Sequence, residues 1–67
     1  MFGKRLKEMR CYRNMTQDQL AKASGVSRVM ISDIENGKRK RVSAMNIAKI
    51  ANALNVPVDY FFIVSVQ

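Results

Sequence analysis

Four consecutive cations, Lys38, Arg39, Lys40 and Arg41, are the densest charge in the sequence, and the chemistry open to such a run is the binding of phosphate or another anionic surface. The whole chain leans the same way: 12 Lys and Arg against 5 Asp and Glu give a formal charge of +7 and a pI near 10.2. Charge by itself does not name the polyanion. Nucleic acid, an anionic membrane surface and an acidic protein are all compatible with it, as is a basic surface kept for solubility. Catalytic chemistry, by contrast, finds no support. Histidine is absent, the carboxylates Glu8, Asp18, Asp33, Glu35 and Asp59 form no acid–base motif, and no metal-ligand spacing occurs. Cys11 is the single cysteine; it has no histidine to activate it as a nucleophile and no disulfide partner within the chain, which points to a reducing cytoplasm. Neither enzymatic activity nor a cofactor is expected.

The elements that must position these cations are helices. The hydrophobic share is 48%, aromatic content is low and Pro57 is the only proline, a balance that favours an all-α bundle over strands. Sixty-seven residues suit one domain over residues 1–67, near the lower limit for a self-sufficient apolar core. No stretch approaches the ~20 apolar residues of a membrane span. Phe2, Leu6 and Met9 recur at helical spacing among Lys4, Arg5, Lys7, Glu8 and Arg10, so a basic amphipathic helix is predicted over residues 2–13, with Arg13 and Asn14 leading into a turn. Thr16 and Gln19 match a capping box that starts a second helix, stapled by Met15 and Leu20 and stopped at Ser24 and Gly25. Ser27 caps a third helix, with Val26 and Ile31 as staple and Asn36 and Gly37 as stop. Beyond the cationic loop, Ser43 caps a fourth, with Val42 and Ile47 as staple, an inward stripe of Ile47, Ile50, Ala51 and Leu54, and a stop at Asn55. Pro57 to Phe62 reads as a fifth helical turn, and residues 63–67 as a short apolar tail.

A capped short helix, a glycine turn and a second capped helix over residues 16–36 have helix-turn-helix spacing. Ala21 is small where two steeply crossing helices approach, Gly25 permits the sharp turn, and Ile31 and Ile34 anchor the second helix inward. A generic pair of packed helices shows similar caps. The residues Met15, Thr16, Gln17, Leu20, Ala21, Gly25, Val26, Ser27, Ile31, Ser32, Ile34 to Lys38, Ile50, Ala51, Leu54 to Val56 and Asp59 carry a more specific signal. On them the chain, from Leu6 to Phe62, resembles the Cro and phage-repressor type of helix-turn-helix regulator, also called the xenobiotic-response-element family. The resemblance implies a lambda-repressor-like five-helix domain that binds double-stranded DNA.

It also implies roles. The third helix, residues 27–36, becomes the recognition helix in the major groove, where Ser27, Arg28, Val29, Ser32 and Asp33 project away from Ile31 and Ile34 toward base edges. Arg28 suits guanine O6 and N7, which accept two hydrogen bonds from one guanidinium, and Val29 suits a thymine methyl. Phosphate contact is the alternative for Arg28. Asp33 is repelled by phosphates unless it accepts from a cytosine amino group or pairs with Arg28. Gln17, at the start of the second helix, is expected on the DNA backbone, together with Asn36, Lys38, Arg39, Lys40 and Arg41; Lys40 or Arg41 also suits a narrow minor groove. Members of the family often carry a proline and a shorter or more polar loop here, so Val42 and Ser43 depart from the pattern. Arg10 and Glu35 stand where phage repressors form an ion pair, which would orient Arg10 toward the phosphates; two independent surface charges are the other reading.

The apolar end of the chain suggests a second subunit, with Val58, Phe61, Phe62 and Ile63 as its contacts, although Phe61 and Phe62 could instead close the monomer core. The sequence thus predicts a cytoplasmic homodimeric regulator, most simply a repressor, on a palindromic operator, with no membrane partner and no small-molecule ligand. A protein-interaction module such as an antitoxin, with DNA binding secondary, is the alternative.

Overall fold

A cap at each helix start decides where the chain bends. The computed structural model describes residues 2–39 and 41–61, with helices α1 (Phe2–Tyr12), α2 (Gln17–Ser24), α3 (Arg28–Glu35) and α4 (Ala44–Leu54), followed by a 3₁₀ turn at Val58–Phe61. Among these residues there is no strand. The hydroxyl oxygens of Thr16, Ser27 and Ser43 each accept the backbone N–H three residues on, from Gln19, Met30 and Asn46 at 3.1, 3.1 and 3.2 Å. Around Thr16 the box is reciprocal, since its own N–H donates to Gln19 Oε1 at 2.8 Å. Stops are as clear as starts. Gly25 leaves α2 at φ 77°, a left-handed conformation that costs a residue with a Cβ about 1–2 kcal/mol, and its N–H returns to Ala21 O.

The apolar stripes meet in one core of Leu6, Leu20, Val26, Ile31, Ile34, Ile47, Ile50, Ala51, Leu54 and Phe61. Met15, Val26 and Val42, the residues before the three caps, all join this cluster as the staple pattern requires. α3 lies against both α1 and α2, α2 against α4, and the 3₁₀ turn closes onto α4 and α1. The fifth element is one 3₁₀ turn of four residues, Val58–Phe61, and not an α-helix. That turn is fixed by its aromatics. The Phe61 ring meets Phe2 edge-on at 5.0 Å and Tyr60 at 5.2 Å, and Arg5 lies over the Tyr60 ring.

Two supports had no periodic signature. Arg13, expected only to lead into a turn, donates from Nε to Leu54 O at 3.0 Å and from Nη2 to Asn55 O at 3.5 Å, placing a cation on the negative end of α4. Gly3 marks a close approach of α1 to α3: a Cβ there would overlap Ile34 O and lie 3.2 Å from its carbonyl carbon. Backbone cannot yield as a flexible side chain does. Gly3→Ala is expected to lower stability by about 1–2 kcal/mol despite alanine's better helix propensity, measured as a shift of the urea midpoint. An unchanged or raised midpoint would show that α1 is not seated as described.

Candidate nucleic-acid interface

The site begins with how α3 is held. Its inner face is fixed by Ile31 and Ile34, both nearly inaccessible, and its far end by Glu35. The Glu35 side chain is only 2% exposed, yet both carboxylate oxygens have partners: Arg10 Nε donates to Oε2 at 2.7 Å, while Arg10 Nη2 and Gln17 Nε2 donate to Oε1 at 3.1 Å each. Arg10 Nη1 then donates to Met15 O at 2.6 Å. One carboxylate thus ties α1, the start of α2 and the end of α3 together. The hydrogen bond to Glu35 holds the Arg10 guanidinium above its ordinary pKa, against the opposing effect of desolvation. Among the described residues, no buried side-chain nitrogen or oxygen lacks a partner, the condition under which a buried pair is tolerated.

This geometry gives Arg10 a framework role. Its side chain is 12% exposed and each guanidinium nitrogen donates one N–H to a protein oxygen, which leaves one N–H on each terminal nitrogen. The ion pair expected from the resemblance is present. Gln17 is half-buried and has given one amide N–H to Glu35, which leaves it the second N–H, its carbonyl oxygen and its backbone for an outside partner.

The outer face of α3 carries the groove candidates. Ser27, Arg28 and Val29 are exposed, with Val29 at 67%, whereas Ser32 and Asp33 are half-buried further along. Ser27 Oγ already accepts from Met30 N–H as the N-cap and keeps its O–H to donate and one lone pair to accept. Ser32 Oγ accepts from Asn36 Nδ2 at 3.4 Å. Met30 faces inward and takes a contact from Asn46 Nδ2 at its sulfur. Arg28 does not pair with Asp33, the partner considered from sequence. Its Nε lies 3.2 Å from Asp18 Oδ1, on the first turn of α2. In the sequence Asp18 is one of five carboxylates without a motif, because a pair that crosses the turn between two helices leaves no spacing rule to find it.

Beyond α3 the chain turns through Gly37 at φ 78°, and the Asp33 carbonyl accepts from Lys38 N–H at 2.9 Å and Arg39 N–H at 3.3 Å. Asn36 and the cations Lys38, Arg39 and Arg41 are exposed in the segment that follows α3; Lys40 lies outside the described residues. At the chain's other end, Phe61 is 3% exposed and belongs to the core, which corrects its assignment to a subunit contact. Val58 is 38% exposed, and Phe62 and Ile63 lie outside the described residues. No helix among the described residues is long and apolar enough to cross a membrane.

Comparison with known proteins agrees with this geometry. The sequence model of the helix-turn-helix family matches residues 6–61. The HTH-type transcriptional repressor RghR and the uncharacterized HTH-type transcriptional regulator RghRB, both of Bacillus subtilis (strain 168), are each 47% identical over 58 residues, or 87% of this chain. The chain spans 42–43% of the length of these two relatives. The restriction-modification controller protein C.AhdI from Aeromonas hydrophila superposes with a TM-score of 0.86 at 39% identity over 91% of each chain. A chain of the SinR/SinI complex superposes with a TM-score of 0.87 at 28% identity, over 91% of this chain and 59% of that one. With caps, glycine turn and core all in the arrangement that the family requires, the chain belongs to the helix-turn-helix family of the Cro and phage-repressor type, whose members are transcription regulators that bind double-stranded DNA and not enzymes.

Proposed function

We propose that this helix-turn-helix unit, residues 1–67, is the sequence-reading part of a transcriptional repressor that binds a palindromic operator as a homodimer in the cytoplasm. One observation carries the reading: the outer face of α3, with the exposed Arg28 and Val29 at its head, belongs to a helix tied to α1 and α2 through Glu35 and followed by exposed cations. A rigid helix with a free polar edge fits the major groove, and cations beside it fit the flanking phosphates. In this reading Ser27, Arg28, Val29, Ser32 and Asp33 meet base edges. Gln17, Asn36, Lys38, Arg39, Lys40 and Arg41 meet the backbone. Likeness to a named repressor and to a restriction-modification controller supports control of transcription as the outcome.

The second subunit is assigned to the surface around Val58 and to the apolar stretch after Phe61. Twofold symmetry then sets two recognition helices ~34 Å apart, one turn of the duplex. Selection of bound duplexes from a random pool, followed by footprinting at moderate ionic strength, tests the whole reading. The expected result is an enriched inverted repeat with one protected segment spanning both half-sites. Recovery of no enriched palindrome, or no protection on the recovered duplexes, would overturn it.

A further inference from the structure

We propose that Asp18 is a specificity-determining residue of this interface: from the first turn of α2 its carboxylate pairs with Arg28 at the head of α3 and sets the threshold that a base contact by Arg28 must exceed. The inference rests on the reading of Arg28 as a base contact. Arg28 is the first residue of α3, where the positive end of the helix dipole disfavours a cation. Asp18 supplies the missing counter-charge from a neighbouring helix, with its Oδ1 3.2 Å from Arg28 Nε. A guanidinium can donate a bidentate pair from its two terminal nitrogens or from Nε and one of them. Asp18 takes up none of these donors in a hydrogen bond, so an edge remains for guanine O6 and N7 while the carboxylate keeps the guanidinium's charge at the head of α3.

Stability does not account for this pair. The two side chains are 58% and 74% exposed, so water and salt screen the attraction. The carboxylate also stands beside the face assigned to phosphates, where it opposes the field of a chain carrying a net charge of +7. Specificity gives it a physical use. On a wrong sequence Asp18 offsets the charge of Arg28 and repels phosphate, which weakens indiscriminate binding; on the right one the bidentate contact of Arg28 outweighs that repulsion.

The test compares the wild type with Asp18→Asn, Arg28→Ala and the double variant, first by selection from a random duplex pool and then by affinities for the recovered duplex, its single-base-pair variants and a scrambled duplex. Asp18→Asn should bind the scrambled duplex about two- to fivefold tighter, because one repelling charge per subunit is gone. It should also lose about fivefold in discrimination at the base pair whose preference Arg28→Ala abolishes, the lower end of what a bidentate contact supplies. In the Arg28→Ala background, Asp18→Asn should change discrimination no further. An effect on the start of α2 alone would move the melting temperature and leave base preference intact. If Arg28→Ala loses the preference while Asp18→Asn keeps it at wild-type sharpness, the role given to Asp18 is wrong and the base-reading assignment stands. If Arg28→Ala leaves the preference unchanged, the base-reading assignment falls and the role of Asp18 falls with it.

Discussion

Glu35→Ala is expected to lower the stability of this protein by about 3–5 kcal/mol, the cost of leaving a buried charge without its partner. Arg10 would keep a side chain that is 12% exposed, with only Met15 O to receive its donors, and Gln17 would lose its hold on the end of α3. For a domain of this size that corresponds to a fall in melting temperature of roughly 10–40 °C, out of a total stability of about 5–15 kcal/mol. Thermal melts followed by circular dichroism measure it directly. Arg10→Met combined with Glu35→Leu should recover most of the loss, since an apolar pair of similar volume removes the unpaired charge. A Glu35→Ala melt within a few degrees of wild type would mean that α1, α2 and α3 are not joined through this carboxylate. The consequence for recognition is direct, because the same contacts hold the outer face of α3 rigid.

The second large effect is electrostatic. Lys38→Gln, Arg39→Gln and Arg41→Gln together are expected to reduce the slope of log affinity against log salt by about 5.4 and to weaken binding of the dimer by ~10⁴-fold at ~0.15 M salt, as the loss of three phosphate contacts from each of two subunits requires. Stability should scarcely change, because all three side chains are exposed. The selected sequence should not change either, since phosphate contacts set register and affinity without carrying base identity. Fluorescence anisotropy over a salt series gives the slope, and repeated pool selection gives the sequence. A slope equal to wild type would remove these residues from the DNA backbone, and a changed consensus would move at least one of them to the bases.

The local syntax of the chain determined most of the architecture. Thr16, Ser27 and Ser43 announce helix starts, Gly25 and Asn55 announce stops in the left-handed conformation, and apolar residues at helical spacing name nearly the whole core. These signals are legible because a cap, a staple and an amphipathic stripe are satisfied within one helix, so their geometry is written in spacing along the chain. The family resemblance added the ion pair of Arg10 with Glu35 and the outer face of α3. What only the tertiary structure decided lies where distant elements meet. It put Arg10 on the inside, Phe61 in the core, Arg13 on the end of α4, Gly3 against the backbone of Ile34 and Asp18 beside Arg28. Each depends on how helices cross, and a crossing is set by the summed shape and charge of several surfaces at once, for which no fixed residue interval exists.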